Sequence, residues 1–209
     1  MVASLRFLFA QMGAGKTAAL LSTAFHLRQA GLRVAVLTSN DRVDGQVSSR
    51  VGLRSPATVV GRDVAICRLL AAAGQVDHIL VDEAQFLTAG QVDELAWLVD
   101  EHGVEVTCYG LRADAFEALF EGSARLFAVA DRIEELQVEA RCWCAASATH
   151  NARTRDGALI RTGVQVVVDD GGDVAYEPLC RRHYRAGQTR AQAGVAVAEL
   201  VTVAGQPSL

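Results

Sequence analysis

No stretch of this 209-residue chain approaches the roughly 20 consecutive apolar residues that a membrane-spanning helix requires. The opening Met1–Phe9 lacks the layout of a secretory signal, and the chain is expected to stay in the cytoplasm. An excess of positive charge is missing too: 20 lysines and arginines stand against 24 aspartates and glutamates, a formal net charge of −4. A sequence-independent nucleic-acid binder normally carries a basic stripe that neutralises phosphates, and this balance argues against one. Cysteine is sparse. Cys67, Cys108, Cys142, Cys144 and Cys180 are odd in number and unevenly spaced, which argues against a disulfide framework and points to metal ligation for the last three. What remains is an ordinary globular profile, 51% hydrophobic and 21% charged. It suits one medium domain, or one domain with a small appendage, that buries a substantial core.

Periodicity divides the chain. Leu5–Phe9 is a short apolar run that ends in a Gly-containing loop, Gln11–Gly15. From Thr17, Leu20, Leu21, Ala24, Phe25 and Leu27 recur at helical spacing, and Gly31 stops the helix. Val34–Leu37 predicts a buried strand, Thr38–Ser55 a long polar loop, Asp63–Ala73 a helix and His78–Val81 another strand. Thr88-Ala-Gly-Gln91 has capping-box spacing ahead of Val92, Leu95 and Val99, with Gly103 as the stop. Val104–Tyr109 is again strand-like. Strand and helix in alternation predict an α/β fold, a parallel sheet covered by helices on both faces. After about Val138 the pattern changes: Arg141–Tyr184 offers short β-like pieces such as Val164–Val168, a Gly171–Gly172 turn, and clustered Cys and His. Ala186–Leu209 has weak periodicity and reads as a frayed tail.

Three segments carry chemistry. Ala10-Gln11-Met12-Gly13-Ala14-Gly15-Lys16-Thr17 lies between a predicted strand and a predicted helix, the setting a phosphate-binding loop needs. Small residues let backbone N–H groups curl round phosphate oxygens at a helix N-terminus. Lys16 is then placed for the β- and γ-phosphates of ATP and the Thr17 hydroxyl for Mg²⁺. Ala10 stands where the usual first Gly would be, and a Gly-rich turn before an ordinary helix is the competing reading. His78-Ile-Leu-Val-Asp82-Glu83-Ala84-Gln85 delivers a carboxylate, Asp82, to the end of a strand as a second Mg²⁺ ligand, with Glu83 next to it as a proton acceptor. The plainer alternative is a pair of acids complementing a helix dipole. Cys142-Trp143-Cys144 and Cys180-Arg181-Arg182-His183 are two close pairs of soft ligands suited to a tetrahedral structural Zn²⁺, or else inert cysteines and a surface histidine. Arg141 and Arg153–Arg161 read as a solvated basic face.

These signals, in this order, resemble the thymidine kinases of the zinc-containing type II family of bacteria and animal cytosol. The resemblance runs from about Leu5 to Tyr184, and its most specific stretches are Val47–Pro56, Val81–Leu87, Cys108–Arg112 and Cys180–Tyr184. It implies a RecA-like P-loop nucleoside kinase domain over residues 1–138, a zinc-binding lasso domain over 139–186, and a flexible tail over 187–209. By the same resemblance, Ala10–Thr17 and Asp82–Gln85 bind ATP, and Glu83 deprotonates the 5′-hydroxyl of thymidine. Met12, Phe86, Leu111 and Phe120 wall the thymine. Val167, Val168, Asp169, Asp170, Gly171 and Tyr176 read it from the lasso, and Arg42 lies near the phosphates. The implied reaction is transfer of the ATP γ-phosphate to thymidine, and to deoxyuridine, in nucleotide salvage by a homotetramer. Two departures stand out: Asp114 is followed by Ala115 with Phe116 one place later, and Val166–Gly172 is about two residues longer than usual. The rival function is a nucleic-acid-dependent P-loop ATPase, because Asp82-Glu-Ala-Gln85 also resembles a helicase box. Such motors generally need two RecA-like lobes, and the chain has sequence for one.

Overall fold

The computed structural model describes residues 3–39, 45–49, 52–138, 140–165 and 174–197. The first apolar run forms β1 (Leu5–Phe9), and the Gly-rich loop leads into α1 (Lys16–Gln29). Next come β2 (Val34–Thr38), the hairpin β3 (Gln46–Ser48) and β4 (Arg54–Pro56), β5 (Thr58–Val59), and α2 (Ile66–Ala73). Then follow β6 (His78–Asp82), a 3-10 turn (Ala84–Phe86), α3 (Ala89–His102), β7 (Glu105–Gly110), α4 (Glu121–Val129) and β8 (Arg132–Glu135). The last portion holds β9 (His150–Arg155), β10 (Ala158–Leu159), β11 (Val174–Leu179) and α5 (Arg181–Ala186).

Among the described residues, six strands form one sheet in the order β5-β2-β6-β7-β1-β8, and every neighbouring pair is parallel. Strand alternation splits the core in two, because successive side chains point to opposite faces. Phe7, Ile79, Val81, Val106 and Cys108 meet Val92, Leu95 and Val99 of α3 and Leu126 of α4. On the opposite face Val36, Leu80 and Tyr109 meet Leu20, Leu21 and Ala24 of α1. Each fully buried Leu or Ile contributes about 1.5–3 kcal/mol. The expected parallel sheet with helices on both faces is therefore present, and it sets the loops after β1 and β6 at the same carboxyl edge, where open α/β sheets bind ligands.

Several local expectations are corrected. The capping box of α3 forms as read: Thr88 Oγ1 accepts from Gln91 N at 3.2 Å and Gln91 Oε1 from Thr88 N at 3.0 Å. The Gln91 amide group also donates to the Gly61 and Val64 carbonyls, at 2.8 and 2.9 Å, which holds that segment as a turn. Helix α2 consequently begins at Ile66 and not at Asp63. The polar stretch Thr38–Ser55 contains β3, anchored by Val47 in the core of the α1 face. Phe25, placed on the apolar face of α1 by its spacing, is exposed. Val164 lies outside any strand, and 166–168 fall outside the described residues. The sheet of this C-terminal portion is instead β10-β9-β11. The segment expected to fray begins docked, with the Thr189 hydroxyl donating to Gly157 O and the Arg190 amide to Glu177 Oε1 at 3.1 Å.

His78 provides a pH test of this core. It is buried in β6 with Nε2 3.1 Å from the Thr107 hydroxyl. Burial first, and Arg6 after it, hold its imidazole below the ordinary histidine range against the pull of Glu105. A histidine kept neutral in the fold contributes stability above its unfolded pKa of about 6.5, and that contribution is lost as pH falls through the lower folded value. The melting temperature is expected to decline below about pH 6.5, with a smaller slope in His78→Asn. Equal slopes in the two proteins would remove His78 from the account.

Candidate functional site

The loop after β1 turns into α1 through two glycines in the left-handed region, Gly13 at φ 77° and Gly15 at φ 76°, where a side chain would be strained. Gly15 is the N-cap of α1, so the loop presents backbone to the helix's positive end. Lys16 is buried, its Nζ donating to Gln11 O at 3.0 Å and to Ala10 O at 3.4 Å. The Thr17 hydroxyl donates to Asp82 Oδ2 at 2.9 Å. Oxygen ligands at adjacent corners of a Mg²⁺ octahedron lie about 3.0 Å apart, given Mg–O distances of about 2.1 Å, so this pair fits a shared cation. Burial first, then the neighbouring Glu83, push the Asp82 carboxyl up to about 6. The hydrogen bond from Thr17 opposes that rise, as does the charge of Lys16.

Glu83 itself adopts φ 52°, unusual for a residue with a side chain. The conformation is held from both sides: its N–H donates to Asp82 Oδ1 at 3.1 Å, and the Ser39 hydroxyl donates to its carbonyl. Its carboxylate faces a cleft of about 260 Å³ lined also by Met12, Gly13, Gly15, Lys16, Thr17 and Leu111. Ala18, with Ser48 and Ser49 of the β3 hairpin, completes the lining. Both serines lie in Val47–Pro56, a stretch on which the resemblance rests, but neither was assigned a role.

The Ala10 amide is spent on Gly110 O at 3.2 Å, Ala84 is wholly buried in the core, and Gln85 is buried beneath Glu83. Ala14 is buried as well, its N–H turned to Gln11 O. Phe86 and Phe120 pack edge to face with ring centroids 5.5 Å apart, beside the 3-10 turn that follows Glu83. Helix α4 rests on that turn so closely that a Cβ at Gly122 would stand 2.4 Å from Ala84 O and 2.8 Å from Leu87 O. Gly122→Ala is therefore expected to push α4 off the turn at a cost of about 1–3 kcal/mol, read as a lower melting temperature. An unchanged melting temperature would show that the contact yields freely.

The portion that carries β9, β10 and β11 packs on the phosphate loop. Its strand β9 sets Asn151 against the phosphate loop: Asn151 Oδ1 accepts from Met12 N at 2.8 Å and its Nδ2 donates to Ala113 O at 3.3 Å. Gln11 Nε2 donates to Thr149 O at 3.2 Å, and the Tyr184 hydroxyl to Ala115 O at 2.7 Å. A lone Asn among polar neighbours offered nothing to find it by. Arg153, taken as a solvated charge, is buried with its Cζ 4.6 Å over the Phe116 ring and its Nη1 donating to Val164 O. Tyr176 pairs with Arg153 across β11 and β9. Arg42, Val167, Val168, Asp169, Asp170 and Gly171 lie outside the described residues.

Cys142, Cys144, Cys180 and His183 converge, with all four ligand atoms within 4.8 Å of one another. His183 Nδ1 lies 3.4 Å from Cys142 Sγ and 3.5 Å from Cys180 Sγ. A tetrahedron with Zn–S near 2.3 Å and Zn–N near 2.1 Å sets S···N at about 3.5 Å, so the donor set fits zinc. Trp143 stacks on the His183 ring at 4.1 Å and fixes its plane. Cys67 and Cys108 stand apart from this cluster, as the spacing implied. No helix among the described residues is long and apolar enough to cross a membrane.

A family profile described as thymidine kinase matches residues 3–184. The thymidine kinase of Streptomyces coelicolor is 43% identical over 199 residues, 91% of this chain and 92% of its own length. That of Shewanella oneidensis is 38% identical over 191 residues, covering 88% of this chain and 97% of its own. Among solved structures, the Pif1 helicase of Candida albicans is similar at a TM-score of 0.41 and 15% identity, over 65% of this chain and 36% of that one. A likeness that slight carries no argument about function.

Proposed function

The chain belongs to the thymidine kinase family, and from that membership and the geometry of its cleft we infer that it transfers the γ-phosphate of ATP to the 5′-hydroxyl of thymidine. The observation that carries the reading is one cleft lined by the phosphate loop, by Glu83 and by Leu111. A donor site, a proton acceptor and a wall for an acceptor molecule share that space.

The residues divide the work. The backbone of Gly13 and of Gly15–Thr17, with the Lys16 side chain, holds the β- and γ-phosphates on the side of the cleft that Glu83 lines, so most of the acceleration comes from placement and charge. Glu83 takes the proton of the 5′-hydroxyl as its oxygen bonds to the γ-phosphorus; the bond to the β–γ bridging oxygen breaks, and ADP departs with that electron pair. A Mg²⁺ held by Thr17 and Asp82 would neutralise charge on the β- and γ-phosphates. Zn²⁺ on Cys142, Cys144, Cys180 and His183 would tie the two ends of the lasso together. Met12, Leu111, Phe86 and Phe120 form the apolar side of the acceptor site. We assign to the segment 167–171 and to Tyr176 the reading of the base edges, to Arg42 a place near the phosphates, and to the assembly a homotetramer in the cytoplasm.

A panel of nucleosides offered with ATP and Mg²⁺, scored for monophosphate, tests this. Thymidine and deoxyuridine are expected to be converted and purine nucleosides left untouched. Conversion of purines alone would overturn the assignment of the acceptor.

A further inference from the structure

Gln85 follows Glu83 by two positions and is 1% exposed. A fully buried amide needs an explanation, and its two ends supply one. Gln85 Nε2 donates to Glu83 Oε2 at 2.5 Å, and Gln85 Oε1 accepts from Leu111 N at 3.0 Å. The orientation is dictated by chemistry, since a carboxylate only accepts and a backbone N–H only donates. The surroundings are shaped to it. A Cβ at Gly110 would stand 3.0 Å from Gln85 Oε1 and 3.2 Å from its backbone N. The Ser123 hydroxyl pins the other side of Leu111 by donating to its carbonyl at 2.5 Å.

We propose that Gln85 is a positioning residue that fixes the Glu83 carboxylate relative to the acceptor wall at Leu111. One amide spans the base and the wall, so the distance between proton acceptor and bound nucleoside is set by a rigid, buried element. Glu83 otherwise has a freely rotating side chain, and a carboxylate displaced by about 1 Å from the hydroxyl loses much of the advantage of placement. The amide also leaves one carboxylate oxygen, Oε1, for the proton. The proposal rests on Glu83 being the base.

Two variants separate the ends of the amide. Gln85→Met is nearly isosteric and removes both hydrogen bonds; Gln85→Glu keeps an acceptor for Leu111 N and replaces the donated N–H with a second carboxyl. A hydrogen bond to a charged group corresponds to roughly 10–100-fold in rate. Both variants are expected to lower kcat by about that factor while the KM for thymidine and for ATP stays within about threefold. Each change is repeated in a Glu83→Gln background, where it is expected to cost no more than about twofold further, because there is no carboxylate left to hold. Equal losses in both backgrounds, or losses confined to KM, would overturn the positioning role while leaving Glu83 as the base. A Glu83→Gln protein that retains full kcat would instead overturn the reading on which the proposal stands.

Discussion

Glu83→Gln is expected to lower kcat by about 10²–10⁴-fold while ATP and thymidine affinities remain near those of the unaltered protein. The amide is close to isosteric with the carboxylate, so the φ 52° conformation and its support from Asp82 and Ser39 should persist. What disappears is an oxygen able to accept the 5′-hydroxyl proton. Transition-state loss without ground-state loss shows as a fall in kcat at constant KM. The measurement is steady-state kinetics in both substrates, with ATP titration as a control for the phosphate loop. A collapse of binding with kcat changed less than a few-fold would make Glu83 a structural acid and place the base elsewhere.

Cys180→Ser is expected to release zinc, loosen the lasso and cut thymidine affinity steeply while ATP still binds. Cys142 and His183 are 41 residues apart in sequence, and the buried apolar cluster of this portion is small: Cys142, Ala152, Leu179 and Tyr184. So small a cluster leaves this portion dependent on other ties, and a structural zinc contributes about 10–16 kcal/mol to holding its ends together. The phosphate loop rests on β1 and α1, outside the lasso, which is why ATP binding survives. Its contacts to the lasso run through Asn151 and Thr149, so a modest loss of ATP affinity is compatible with the account. Metal analysis of the unaltered protein, with ATP and thymidine titrations on both, is the check. A metal-free unaltered protein would end the zinc assignment, and a zinc-free variant with normal thymidine affinity would end the lasso's role in base recognition.

The parts legible in the sequence are those where local chemistry demands particular residues. Gly13, Gly15, Lys16 and Thr17 could be read because a phosphate loop needs small residues, a cation and a hydroxyl in that order. The clustering of Cys142, Cys144, Cys180 and His183 could be read because two close Cys and His pairs have few uses besides holding a metal. The parallel core strands announced themselves as apolar runs, since both faces are buried. The parts missed have no such signature. Strand β8 is exposed along its length and pairs with β1 at the sheet edge, so it lacks the alternation that marks a half-buried strand. Strand β9 reads His-Asn-Ala-Arg-Thr-Arg, polar because one face meets the P-loop domain through Asn151 and Arg153 and only Ala152 enters the lasso core. The amide of Gln85 turns to Glu83 Oε2 and Leu111 N, a pairing that sequence adjacency does not give, because it does not say which way a side chain turns after a strand ends.

The central claim is that the γ-phosphate passes to a nucleoside hydroxyl and not to water. Following the γ-phosphate label of ATP tests it most directly, with thymidine, with 5′-deoxythymidine, which lacks the acceptor oxygen, and with single-stranded DNA as separate additions. The account predicts label in thymidine 5′-monophosphate, none in a nucleotide when 5′-deoxythymidine is supplied, and no response to DNA. Label appearing only as inorganic phosphate, at a rate raised by DNA and indifferent to thymidine, would contradict it.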